Sequence, residues 1–75
     1  MALNSKQAAH IKSFGVNLRR ERMRKKITQE KFAELVDLNI RTVQKIEAGH
    51  VNILLTTVLR LQKALKCAWT DLLGK

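Results

Sequence analysis

Proline is absent from this chain of 75 residues, and only three residues are glycine. Such a composition suits helices with short connections far better than sheets, which need many turns. No segment alternates apolar and polar residues with a period of two, as a half-buried strand does. We therefore predict an all-α fold, a compact bundle of five helices that forms a single domain over residues 1–75.

Apolar residues at helical spacing and capping residues place these helices. Asn4 or Ser5 is available to cap the first helix, Thr28 the second and Asn39 the third. Gly49 stands where a left-handed residue closes the third helix. The predicted ranges are about 5–25, 28–36, 40–48, 55–65 and 69–73.

The apolar stripes of these helices define the expected core. The stripe of the fourth helix, at 55–65, is so broad that we expect it to be largely buried. The residues that form the stripes of the first, second and fourth helices are Ile11, Phe14, Leu18, Phe32, Leu35, Val36, Leu55, Val58, Leu59, Leu61 and Leu65.

The chain is strongly basic, with a formal net charge of +9 and a pI near 10.5. Much of this charge lies in residues 1–27, where Glu21 is the single acidic residue. Clustered basic residues on a helix are typical of a protein that binds a polyanion, either nucleic acid or an anionic membrane. A membrane-binding helix is disfavoured because Ile11, Phe14 and Leu18 are needed for the core.

Export and membrane insertion find no support in the sequence. The N-terminus lacks the apolar stretch of a signal peptide, and the apolar run at 53–55 is too short to cross a bilayer. Cys67 is the only cysteine and has no partner for an internal disulfide. We expect a soluble, cytoplasmic protein that does not bind membranes.

Catalytic and metal-binding patterns are missing as well. No Ser/His/Asp or Cys/His arrangement has a recognisable spacing, and no glycine-rich phosphate loop occurs, so we predict that the protein is not an enzyme. His10 and His50 share no ligand spacing with Cys67, so no metal site is expected. A domain this small leaves no room for an effector pocket, and we expect no cofactor or small-molecule ligand.

The third predicted helix combines a narrow apolar side with a polar one. Val43 and Ile46 point one way, while Arg41, Gln44 and Lys45 point the other. Arg and Lys can donate to guanine, and Gln can pair with adenine through two hydrogen bonds. Ile40 is the apolar member of this polar side, and a thymine methyl group would suit it. The pattern predicts a helix that reads base edges in a major groove.

The segment TQEKFAELVDLNIRTVQKIEAG, at 28–49, resembles the helix-turn-helix of the Cro/CI-type regulators, also called lambda-repressor-like or XRE-family proteins. The resemblance covers about residues 11–73, and the spacing of VNI and the following leucine after Gly49 is also similar to the controller proteins of restriction–modification systems. It implies a transcriptional regulator that binds specific double-stranded DNA sequences. Because one recognition helix reads too few base pairs, we expect a homodimer on a palindromic operator.

The resemblance also implies roles for individual residues. Glu47 corresponds to a family acid that pairs with a helix 1 arginine, here Arg22, and Ala33 to the small residue at the helix crossing. The residues expected to read bases are Ile40, Arg41, Gln44 and Lys45. Those expected to contact the DNA backbone are Thr28, Gln29, Asn39, Thr42 and Asn52.

Five positions depart from the family pattern. Lys26 and Asp37 stand where glycine is frequent, and Glu21 replaces a common apolar residue. Leu54 and Ala68 occupy positions where serine-type caps are usual. These departures affect the expected local stability more than the expected function.

Apolar residues near the end of the chain suggest how two copies associate, because a 75-residue core cannot bury all of them. The residues expected at the dimer interface are Val51, Ile53, Trp69 and Leu72. A protein-interaction module is the alternative function: the antitoxin of a toxin–antitoxin pair uses the same fold and binds its own operator, with the toxin docked away from helix 3.

Overall fold

Five α-helices make up the computed structural model, which describes residues 3–74. They are α1 (Ser5–Arg24), α2 (Gln29–Val36), α3 (Ile40–Glu47), α4 (Leu55–Leu65) and α5 (Trp69–Leu73). No strand occurs between residues 3 and 74, and no helix in that range is long and apolar enough to cross a membrane. The all-α prediction with five helices is confirmed, and the predicted bounds of helices 1, 2 and 3 each differ by one residue from those observed.

Side-chain caps explain where the first three helices begin. Asn4 Oδ1 accepts a hydrogen bond from the Gln7 backbone N–H at 2.8 Å, and Gln7 Oε1 accepts one from the Asn4 N–H at 3.1 Å. Thr28 Oγ1 accepts from the Lys31 N–H at 3.0 Å, and Asn39 Oδ1 from the Arg41 N–H at 2.8 Å. Each cap satisfies a backbone donor that the helix leaves unpaired.

The later helices begin without such caps. Leu54 and Ala68, which precede α4 and α5, have no side-chain oxygen to offer. The Ala68 N–H instead donates to Asp71 Oδ2 at 3.1 Å, so α5 receives its capping bond from inside the helix.

Left-handed backbone conformations end several helices. Asp37 has φ 56° and ψ 51° at the end of α2, and Lys26 and Lys66 have φ 57° and 53°. Gly49, after α3, has φ 75°, as its position in the sequence predicts. Asp37 and Lys26 therefore adopt a conformation that glycine adopts at the lowest steric cost.

The core lies where α1 packs against α3 and α5, and where α2 packs against α3 and α4. All five helices contribute buried apolar side chains to it, and the two motif helices α2 and α3 contribute half of them. The buried apolar residues are Phe14, Leu18, Phe32, Ala33, Val36, Val43, Ile46, Leu61, Leu65 and Leu72.

The broad stripe of α4 is not buried as predicted. Leu61 and Leu65 lie in the core, but Leu55 and Leu59 are exposed, with 72% of Leu55 accessible. The second-helix prediction was wrong in the same way for Leu35, which is exposed. Each of these helices contacts the core through one side only, so a stripe wider than that side remains in solvent.

A close approach between α1 and α3 depends on Gly15. A Cβ atom at this position would collide with the Ile46 carbonyl oxygen and would lie 2.8 Å from the Glu47 carbonyl oxygen. The end of α3 therefore rests directly on the backbone of α1. This role cannot be read from the sequence, because one glycine within a helix does not reveal what lies against it.

Candidate nucleic-acid interface

The third helix presents a polar surface opposite its buried side. Val43 and Ile46 are buried in the core, whereas Arg41, Gln44 and Lys45 are exposed. These three side chains, with Ala48 and His50, line a shallow groove of about 390 Å³. The structure thus brings together three of the four residues predicted to read bases.

Ile40, the fourth predicted reading residue, begins α3 and does not line this groove. Its side chain is exposed, with 37% of the residue accessible.

Behind this surface, Arg22 of α1 and Glu47 of α3 form a bidentate ion pair. Arg22 Nε lies 2.6 Å from Glu47 Oε2, and Arg22 Nη2 donates to Glu47 Oε1 at 3.1 Å. Arg22 Nη1 also donates to the Ile27 carbonyl oxygen at 2.6 Å. Both charged side chains are less than a tenth exposed. The pair joins α1, the turn before α2 and the end of α3.

Hydrogen bonds continue from this ion pair to the exposed surface of α3. Gln29 Nε2 donates to Glu47 Oε1 at 3.0 Å, and Gln44 Nε2 donates to Gln29 Oε1 at 3.4 Å. The Gln29 amide is therefore held at both ends, by Glu47 on one side and by Gln44 on the other. A continuous chain of polar contacts connects buried Arg22 to exposed Gln44, a link that no pattern in the sequence indicates.

The residues predicted to contact the DNA backbone lie at three places. Thr28 and Gln29 lie at the start of α2, and Asn39 immediately precedes α3. Thr42 and Asn52 instead border a second groove, of about 260 Å³, between α3 and the loop that leads to α4. Because Thr28 and Asn39 also cap their helices, their side-chain oxygens already accept intramolecular hydrogen bonds.

The residues predicted for a dimer interface differ widely in exposure. Leu72 was predicted wrongly, because its side chain is fully buried in the core and has no accessible surface. Val51 and Ile53 are half-buried and pack against the core. Trp69 is exposed at 39%.

Apolar side chains with a larger exposed fraction lie elsewhere, at the start of α4. Leu54, Leu55 and Leu59 are each more exposed than Trp69. We call these three residues the α4 patch. The apolar stripe of α4 is wider than the one side of a helix that a small core buries. This excess width was the signal in the sequence that could have identified the α4 patch.

Glu21, a departure from the family pattern, is buried in α1. Its carboxylate accepts from Arg24 Nη1 at 3.1 Å and lies 3.4 Å from Arg20 Nε. Arg20 Nη2 also donates to the Asp71 carbonyl oxygen at 2.8 Å, and Asn17 Nδ2 to that of Leu72 at 2.8 Å. Several polar groups of α1 therefore hold α5 and the buried acid in place.

Cys67, between α4 and α5, is a free thiol. Burial raises the pKa of this thiol, and the negative charges of Glu21 and Asp71 raise it further. The thiol is thus a weak nucleophile near neutral pH. Among residues 3–74, no group of three or more His, Cys, Asp and Glu side chains could hold a metal ion.

Two short helices joined by a three-residue turn, the second with one buried side and one polar exposed side, define a helix-turn-helix. The helix-turn-helix family HTH_3 matches residues 18–72, and the chain belongs to this family. It is a DNA-binding transcriptional regulator of the XRE, or Cro/CI, type. The resemblance found in the sequence is thereby confirmed.

A solved structure has a similar fold over most of the chain. The crystal structure of the restriction–modification controller protein C.AhdI from Aeromonas hydrophila matches with a TM-score of 0.80 and 34% sequence identity. The match covers 85% of this chain and 97% of that one. No curated protein matches the chain.

Proposed function

We propose that the protein is a homodimeric regulator that reads a palindromic operator through the major groove with α3. The observation that carries this proposal is the chain of contacts from the Arg22–Glu47 pair through Gln29 to Gln44. A side chain held in one orientation before it meets DNA loses less conformational entropy on binding. The hydrogen bond to Gln29 favours one orientation of Gln44, which lies on the exposed side of a helix short enough for a major groove.

The orientation of Gln44 favours adenine. One N–H of its Nε2 points to Gln29 Oε1, which leaves the other N–H and the Oε1 atom for a base. Adenine offers the matching pair in the major groove, an acceptor at N7 and a donor at N6. Arg41 and Lys45, which border the same groove, would donate to guanine, and Ile40 would contact a thymine methyl group.

Backbone contacts position the reading helix. Gln29 is the first residue of α2, so its backbone N–H is one of the donors that a helix leaves unpaired at its start. A phosphate there would accept a hydrogen bond from this N–H, and the positive end of the helix dipole would stabilise its charge. Thr28, Asn39, Thr42 and Asn52 would contribute further contacts at the start of α3 and in the loop that follows it.

The homodimer would form through the α4 patch. Leu54, Leu55 and Leu59 are exposed close to half-buried Ile53 and Val51 in sequence, and Trp69 adds apolar surface at the start of α5. A two-fold contact buries the same patch from both copies. The two copies of α3 would then enter successive major grooves, roughly 34 Å apart along the duplex.

Selection of bound sites from a random duplex pool tests this function. We expect a consensus with two-fold symmetry that contains an adenine in each half-site. The Gln44→Ala variant should lose the preference for adenine at that position. Arg41→Ala should cost about 1–3 kcal/mol on the selected site and relax one base pair in each half-site. Lys63→Ala, which removes an equal charge from exposed α4 surface, is the matched control and should keep the consensus.

Two results would contradict the proposal. A pool that yields no symmetric consensus would exclude specific binding by a two-fold dimer. Equal losses on all sequences for Arg41→Ala and Gln44→Ala would show that these side chains touch the backbone and do not read bases.

A further inference from the structure

A groove along α1 takes no part in the proposed contacts with DNA or in the proposed dimer. It has a volume of about 590 Å³ and is lined by Val16, Arg19, Arg20, Met23, Arg24 and Glu47. None of the predicted base-reading residues, and none of the α4 patch, borders it. We call it the α1 groove.

Two exposed apolar side chains form the centre of the α1 groove. Val16 is 56% exposed and Met23 is 55% exposed. They lie seven residues apart, on one face of α1 and about 10 Å apart along its axis. Exposed apolar residues at this spacing are the complement of a partner helix that offers apolar side chains at positions i and i+7.

Arginines border these two apolar residues. The side chain of Arg19 is exposed and makes no hydrogen bond or ion pair with any residue between positions 3 and 74. Arg20 and Arg24 both contact one buried carboxylate, that of Glu21. Glu47 does not offset the positive charge of these arginines, because its carboxylate is already bound by Arg22 and Gln29. The groove is thus apolar in the centre and positive at its edge.

We propose that the α1 groove binds an acidic amphipathic helix of a partner protein. Two apolar side chains of that helix cover Val16 and Met23, and its flanking carboxylates face Arg19 and Arg20. DNA fits this surface less well, because a phosphate backbone gains nothing from apolar side chains at its centre. A partner bound here leaves the exposed polar side of α3 free, because Arg41, Gln44 and Lys45 do not line the groove. The protein can therefore hold DNA and the partner together.

A second copy of the chain is the less suitable occupant. Its acidic helix, α2, exposes only one large apolar side chain, Leu35, beside Glu34. The α1 groove has two apolar positions to cover, and the exposed Lys31 of α2 would face the arginines with a like charge.

Fluorescence polarisation with a designed peptide tests the proposal. The probe is a labelled helix of about 18 residues, long enough to be helical, with two leucines seven residues apart and glutamates beside them on the same face. A peptide of the same composition in scrambled order shows what charge alone contributes. We expect the amphipathic peptide to bind about tenfold more tightly than the scrambled one.

Matched variants locate the binding. Met23→Gln and Arg19→Gln should each weaken binding of the amphipathic peptide by about fivefold to tenfold. Leu35→Gln and Arg60→Gln are the controls, since Leu35 is as exposed as Met23, at 55%, and Arg60 is exposed on α4. They should leave the affinity unchanged. Val16→Gln provides a second test of the apolar centre, and thermal melts verify that every variant is folded.

Each alternative explanation of the binding predicts a different result, and each of these results would overturn the proposal. Equal binding of both peptides would show general attraction to a basic protein. A loss with Arg41→Gln but not with Met23→Gln would place the peptide on α3. Weaker binding of Arg19→Gln to DNA with unchanged peptide affinity would assign the groove to the DNA backbone. A smaller sedimentation coefficient for Met23→Gln without peptide would assign it to a second copy.

Discussion

The guanidinium of Arg22 and the carboxylate of Glu47 meet through two contacts, at 2.6 and 3.1 Å, in a place that solvent barely reaches. They are 25 residues apart in sequence and connect α1 to the last residue of α3. Glu47 also holds Gln29, which in turn accepts from Gln44. The ion pair therefore connects α1 to α3, and hydrogen bonds extend from it to Gln44, one of the residues proposed to read DNA.

Removal of this carboxylate should be costly. Glu47→Ala leaves the Arg22 charge buried without its partner, so we expect a loss of about 3 kcal/mol or more in the free energy of unfolding. Glu34→Ala removes an equal charge from the exposed surface of α2 and should change stability by less than about 0.5 kcal/mol. Urea denaturation measures both. Similar midpoints for the two variants would show that the buried pair is not important for stability.

Gln29 and Gln44 should act as a unit on the operator. Because Gln29 Oε1 accepts from Gln44 Nε2, the single changes to alanine should each weaken binding, and the double change should cost less than their sum. We expect a coupling energy of about 0.5–1 kcal/mol from a double-mutant cycle with the selected operator. A cycle of Lys31→Ala with Gln44→Ala serves as control. Additive losses for the Gln29–Gln44 pair would contradict the proposed orientation of Gln44 by Gln29.

Asp37 ends α2 in a left-handed conformation, with φ 56°. Asp37→Gly should stabilise the fold by about 0.5–1 kcal/mol, since glycine adopts this conformation without steric cost. Asp37→Ala should be destabilising, because alanine tolerates it less well than aspartate. Thermal unfolding of the two variants gives the comparison. If both substitutions shift the midpoint in the same direction, backbone strain is not the determining factor at this turn.

Gly15→Ala should disrupt the contact between α1 and α3. Its Cβ atom would collide with backbone oxygens at the end of α3, which can move only if the helices separate. We expect a loss of more than about 2 kcal/mol, although alanine is the better helix former. Ser13→Ala, on the exposed side of α1, should be neutral or slightly stabilising. A Gly15→Ala variant as stable as the parent protein would contradict this close approach.

The α4 patch should control self-association. Leu55→Lys combined with Leu59→Lys introduces charges where the two copies would meet, so we expect a monomer at micromolar concentration. Leu35→Lys, an exposed leucine on α2, is the control and should leave the dimer intact. Analytical ultracentrifugation reports the mass, and binding to a half-site and to a palindrome reports the consequence. A wild-type monomer that binds both duplexes equally well would exclude the dimer.

Local signals in the sequence determined the helices. Thr28 and Asn39 cap α2 and α3 because their side-chain oxygens lie a few bonds from the donors they satisfy. Gly49 closes α3 for an equally local reason, its freedom to adopt a positive φ. The resemblance between 28–49 and a known motif added the pairing of Arg22 with Glu47, which no local rule could supply.

Only the tertiary structure decided which side of each helix is covered. Helical spacing places Leu55 and Leu65 in one stripe, yet one is exposed and the other buried, because the packing of α2 against α4 covers a limited width. Leu72, which we expected at a dimer interface, is instead buried because α5 packs against α1. The collision that excludes a side chain at Gly15 likewise involves atoms more than 30 positions away. Periodicity specifies a direction around a helix axis, whereas burial depends on neighbours that are distant in sequence.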